Sequence, residues 1–328
     1  MPEGPPGAHG PIDLKKINPY IYAPSFSMAV FGSAMFTISL VISTFQIFKY
    51  KCWYFNIMPQ AILLDVIAMV ARTHSIIYLK ETGATGPYII GQTVIGIAPT
   101  LVAIGTIFTM TRLVWWVTPN ERRNLQTLMA PPKMISFMWA GFVSICDISK
   151  AVGQMGFPHG HPTGTKIMQI ATVVQFFVYA GYAVWALRFM MISRRWVIHH
   201  DAEAKNWRSL GWSVVLASVM LAARHVFTII ASDAQGDRAA FYSLHEWVFW
   251  MTQMFPLFAV YTIFNIFHPG QFLPRDYTRF RLKLKEIEKM KNDNPWPTTI
   301  SAPIYRPEND KGMEITLTEL ENGAQHRR

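Results

Sequence analysis

The chain has little cysteine and little charge. Only two of its 328 residues are cysteines, Cys52 and Cys146, so no disulfide framework holds the fold. Charged residues make up 15% of the chain against 51% apolar ones. No N-x-[ST] sequon occurs, so glycosylation gives no clue to sidedness. No G-x-x-x-x-G-K-[ST] loop occurs either, which excludes that route to ATP hydrolysis on this chain. The stretch MPEGPPGAHGPIDLKKINPY has no apolar core of the signal-peptide kind. Residues 1–23 are therefore expected to be a flexible, Pro/Gly-rich extracellular lead, with the first span serving as the insertion signal.

What the chain does have is seven long apolar stretches. A hydrocarbon core of about 30 Å needs roughly 20 helical residues, each adding about 1.5 Å. The spans read as 24–48, 57–79, 88–114, 133–153, 165–190, 208–231 and 242–267. The expected class is all-α: a polytopic seven-transmembrane bundle over 24–267. Trp53, Tyr54, Trp115, Trp116, Trp207 and Trp212 fall at span ends, where amphipathic rings favour the headgroup layer.

The net charge of +10 is distributed by loop. No basic patch belongs to a soluble domain, so no nucleic-acid partner is expected. Lys49, Lys51, Arg122, Arg123, Arg194, Arg195 and Lys205 share one side with the seven basic residues between Arg275 and Lys291. That makes fourteen, against five on the other side: Lys15, Lys16, Lys80, Lys166 and Arg238. The positive-inside rule then places the N-terminus outside and the C-terminus inside. In the cytoplasmic tail, 268–328, Tyr277, Phe280, Leu284 and Ile287 repeat at helical spacing among Lys and Arg. This predicts a basic amphipathic helix over about 275–291, suited to anionic inner-leaflet lipids. Pro295, Pro297, Pro303 and Pro307 predict a disordered end.

An ionisable group inside a span costs several kcal/mol unless paired or hydrated, so each marks a candidate site. With the orientation above, these groups crowd into the outer half. The second span carries Asp65 and Arg72, seven apart and so on one face; each is expected to find its partner on another helix. The fourth carries Asp147, Lys150 and Gln154, with Asp147 and Lys150 an i,i+3 pair. The sixth ends in Arg224 and His225, and the seventh begins with His245 and Glu246. These nine residues are expected to line one polar cavity for a substrate, with no catalytic group, metal ligand or cofactor among them. Pro99 and Pro256 interrupt backbone hydrogen bonds within their spans and mark kinks.

Several of these residues recur in order along a known family. Asp65 stands seven before Arg72; Ala98 and Pro99 precede Arg112; Asp147, Ser149, Gln154 and Gly156 follow; Arg224 and Glu246 come next; His268, Pro269 and Gly270 close the bundle. In this the chain resembles the RTA-like family of fungal lipid-translocating exporters, named for resistance to aminocholesterol. It departs from the pattern in several places. The family usually has a second arginine and a glutamate after the span-six arginine, where this chain has Thr228 and, further on, Asp233. It has a tyrosine and an acid in span seven, where this chain has Trp250 and Gln253; Lys150 is an addition. The chain thus resembles a divergent member.

The resemblance implies binding or movement of amphipathic lipids, sphingoid-base-like or sterol-like, and resistance to toxic lipophilic compounds. Membrane lipids and lipophilic small molecules are the implied partners. The plasma membrane is preferred to an endomembrane, since no retrieval signal of the K-D-E-L kind appears. A seven-transmembrane sensor is the alternative, although the D-R-Y and N-P-x-x-Y signatures and a lysine in span seven are absent. A zinc-dependent intramembrane hydrolase would draw on His74, His159, His161, His225 and His245. Only His159 and His161 are close in sequence, so the expectation is that the chain is not an enzyme.

Overall fold

In a computed structural model of the chain, the described residues are 24–78, 85–118, 122, 128–129, 134–155, 162–194, 196, 206–233 and 245–273. The chain divides into two units, Met1–Arg195 with Trp207–Arg275, and Trp196–Asn206 with Asp276–Arg328. The helices below all lie in the first unit. The lead 1–23 and the tail helix over 275–291 lie outside the described residues.

Seven helices are long and apolar enough to cross a membrane, which makes the chain a multi-pass membrane protein. They are α1 (Phe26–Tyr50), α2 (Ile57–Ile77), α3 (Thr85–Val117), α4 (Ile135–Met155), α5 (Pro162–Ser193), α6 (Trp207–Asp233) and α7. The last is built from Glu246–Phe249, a π turn over Trp250–Met254, and Phe255–Ile266. Among the described residues there is no strand. The helix α3 has 33 residues, about 50 Å of helix, and so outruns the hydrocarbon thickness. Hydropathy detects only its lipid-deep part, which explains the shorter span read from sequence. Pro99 sits inside α3 without ending it.

Each helix packs on the next, α7 packs on both α6 and α1 to close the ring, and α3 meets α6 across the middle. Helix α1 shows how a nearly all-apolar segment chooses its face. Ala29, Gly32, Phe36, Ser39, Ser43 and Ile47 are buried at intervals of three and four, whereas Phe31, Val41, Phe45 and Phe48 stay exposed. Lipid is as apolar as any side chain, so small and polar residues, not the greasiest ones, mark the packed stripe. Gly32 is small for a stated reason: a Cβ there would lie 2.5 Å from the Trp250 ring on α7.

The two ends of the bundle are fixed by local chemistry. At one, Ser25 caps α1 and the N-terminus of α7 comes beside it through Glu246. At the other, Lys51 ends α1 in a left-handed conformation (φ 52°). There His268, fully buried, stacks on Tyr50 at 5.3 Å and accepts a hydrogen bond from the Gly270 amide at 3.2 Å. A side chain at Gly270 would come within 2.6 Å of Tyr50, so the His-Pro-Gly closure admits only glycine there. These are called the Glu246 end and the His268 end below.

Two expectations need adjusting. Trp116 and Trp207 keep their places at helix ends but are buried in the bundle (7% and 3% exposed). Pro256 does not kink a continuous helix; it lies in the first turn of Phe255–Ile266, directly after the π turn. There its missing N–H costs nothing, because the widened turn has already broken the α pattern.

Candidate functional site

Asp65 and Arg72 on α2 each find a partner on α7. The Tyr261 hydroxyl donates to Asp65 at 2.6 Å, and Arg72 donates to Glu246 at 2.9 Å. Glu246 also accepts from the Ser25 amide at 2.7 Å and the Trp250 indole at 3.3 Å, while the Arg72 guanidinium lies 4.6 Å from the Phe249 ring. One carboxylate thus neutralises a buried arginine and caps the start of α1, where the helix dipole favours negative charge. Its role in the bundle is to tie α1, α2 and α7 together.

A second cluster joins α3, α4, α5 and α6. Asp147 accepts from the Thr100 hydroxyl at 2.5 Å and from the Gln175 amide at 3.0 Å, and pairs with Lys150 at 3.7 Å. Lys150 donates to the Gln175 carbonyl oxygen, and His225 Nε2 lies 3.1 Å from the same oxygen. The other ring nitrogen of His225 bonds the Leu221 carbonyl at 2.8 Å. The side chains of Asp147 and Lys150 keep 23% and 26% of their surface open, so a ligand has something to reach.

Between the clusters stands Arg224. Its guanidinium feels the charges of Asp65 and Asp147 and lies near Tyr179 and Tyr261. Among the described residues it nevertheless forms no ion pair, and its buried Nε has no hydrogen-bond partner there. Asp65 Oδ1 is likewise buried and unpartnered. One turn on, the Gln253 amide donates to Thr228 Oγ1 at 3.0 Å, and that hydroxyl donates to the Arg224 carbonyl at 3.0 Å.

Toward the His268 end of the Asp147 cluster runs a narrow crevice between α3, α4, α5 and α6. Trp139, Val143, Tyr179, Tyr182, Ile107 and Leu221 are among its walls. It is too narrow to admit a water-sized sphere. Val143 precedes Asp147 by one turn on α4, and Tyr179 follows Gln175 by one turn on α5. A polar group at Asp147 therefore leads directly into an apolar slot.

Of the nine residues named from sequence, the structure joins Arg72 to Glu246, gathers Asp147, Lys150 and His225 around Gln175, and sets Asp65 and Arg224 within electrostatic reach. His245 is exposed at the start of α7, its ring centroid 6.5 Å from that of Trp247. The side chains of Gln154 and Asp233, and all of His159 and His161, lie outside the described residues. Among the described residues no three His, Cys, Asp or Glu side chains come together to hold a metal ion. Thr100, Tyr179 and Tyr261 are site residues that sequence reading missed. A tyrosine in mid-span is the signal that was there to use, because its buried hydroxyl needs a partner.

A family model described as RTA1 like protein matches residues 58–276. The chain belongs to that family. The match covers α2 to α7 and every residue of both clusters except Ser25. No curated protein and no solved structure matches the chain. Asp65, Arg72, Asp147, Arg224 and Glu246 all fall within the matched residues of this RTA1-like protein, as do Thr228 and Gln253, which the structure puts in contact with each other.

Proposed function

We propose that this RTA1-like protein binds amphipathic lipids and moves them between leaflets. The head group would sit at Asp147 and Lys150, with the chain parting the walls of the crevice between α3, α4, α5 and α6. The observation that carries this reading is adjacency: a partly open acid–base pair directly above an apolar slot. Amphipathic ligands have the same two-part character. With the N-terminus outside, as the loop charges favour, the Asp147 pair lies in the outer half of the membrane and the crevice runs inward from it. The reading is of binding and movement without catalysis, at the plasma membrane.

A fluorescent long-chain amine in proteoliposomes tests this. Asp147→Asn should abolish movement between leaflets while leaving the folded protein in the membrane. Wild-type movement in that variant would overturn the proposal. If the lipid binds and no flux occurs even in the unaltered protein, the sensor reading takes its place.

A further inference from the structure

Arg224 is the one charged group in the middle of the bundle whose partner is missing among the described residues. It is only 8% exposed, yet its side chain forms no ion pair and no hydrogen bond there. A guanidinium carries five N–H donors and cannot shed its charge, so burial without an acceptor is costly. Two walls of the crevice flank Arg224: Tyr179 lies within electrostatic reach of it, and Leu221 precedes it by about one turn on α6. The unfilled donor therefore lies about one turn above the slot, within electrostatic reach of the acid Asp147.

We infer that the head group accepted here is zwitterionic, with an amine facing Asp147 and an anionic oxygen, of a phosphate or carboxylate, facing Arg224. This rests on the lipid-handling reading above. Charge balance points the same way. Asp65, Asp147 and Glu246 are matched in number by Arg72, Lys150 and Arg224. A bare amine brings a net positive charge into this balanced, low-dielectric interior, and a bare anion a negative one. A zwitterion brings none, and it supplies the acceptor that Arg224 lacks.

The test compares two amphiphiles sharing one alkyl chain, an amino alcohol and its methyl phosphodiester, whose single negative charge balances the ammonium, with inorganic phosphate as a third probe. Binding to the purified full-length protein in nanodiscs is read by tryptophan fluorescence. The phosphodiester should bind about tenfold more tightly than the amino alcohol, the worth of a charge-assisted hydrogen bond. Arg224→Gln should remove that preference. Inorganic phosphate alone should not displace either amphiphile. Where Arg224→Gln fails to fold, Arg224→Lys retains the charge without the planar fork and should lower the preference only in part. Equal binding of the two amphiphiles by the unaltered protein would overturn the zwitterion while leaving lipid binding intact. So would displacement by inorganic phosphate, which marks a plain anion site. Failure of both amphiphiles to bind would remove the lipid reading itself, and this inference with it.

Discussion

The Gln253 amide on α7 donates to the Thr228 hydroxyl on α6 at 3.0 Å. The contact ties α6 to α7 by a neutral hydrogen bond between two of the positions at which the chain departs from the pattern it resembles. Thr228→Arg alone would set a second cation one turn from Arg224. It is expected to lower the thermal stability of the detergent-solubilised protein. Adding Gln253→Asp should restore much of the loss, since the new charges face each other. A double variant no more stable than the single would show that the two positions are not coupled.

The Arg72–Glu246 pair gives a sharper stability prediction. Its side chains are 2% and 14% exposed, and removing one partner leaves a buried charge, at a cost of about 3–5 kcal/mol. Glu246→Gln also weakens the cap on the Ser25 amide. Thermal unfolding of Glu246→Gln, Arg72→Gln and the double variant forms a cycle. The double variant should be less destabilised than the sum of the singles. Strict additivity would place the two side chains outside each other's reach. Loss of lipid movement in Glu246→Gln alone would therefore report on the scaffold, which is why Asp147→Asn is the better probe of the ligand.

The spans were legible because apolar runs of twenty residues have few other uses. Partner choice was not. Arg72 meets an acid 174 positions away, and nothing local distinguishes Glu246 from Asp147 as its mate. Tyr261 escaped notice because a mid-span aromatic reads as apolar until its hydroxyl is seen on Asp65. Trp116 and Trp207 were expected at the headgroup layer, since window hydropathy places span ends without saying which face is packed. At that end Gly211 brings α6 close to Leu113 on α3 and Met190 on α5, and the neighbouring indoles are enclosed.

Cys52 lies outside the helices in the short basic connection between α1 and α2, 6% exposed. Burial, partly offset by Tyr54 and the positive charge of Arg112, pushes its thiol up to about 11. The thiolate is the nucleophile, so at pH 8 only about one Cys52 in a thousand is reactive. Raising the pH toward 11 should increase its alkylation rate about tenfold per unit. A soluble maleimide should label Cys52 in the folded protein far more slowly than after denaturation, read by mass spectrometry of the digested chain. Rapid labelling at neutral pH would mean that the thiol is open and ionised. The same burial argues against acylation at this cysteine.

The π turn over Trp250–Met254 sets the rotation between the two functional ends of α7. A π turn amounts to one residue inserted into an α-helix, and each residue turns an α-helix by about 100°. Glu246 lies before the turn and Tyr261 after it, and both must face α2 to reach Arg72 and Asp65. Met251 is in the turn and 57% exposed, so its side chain holds nothing in place. Deleting Met251 should remove the inserted residue, let α7 run as a plain α-helix and leave Glu246 and Tyr261 on the face they now present to α2. The deletion should then cost far less stability than Glu246→Gln. Thermal melts of the two variants decide it. A deletion as costly as Glu246→Gln would mean that the turn does more than absorb one residue in the register of α7.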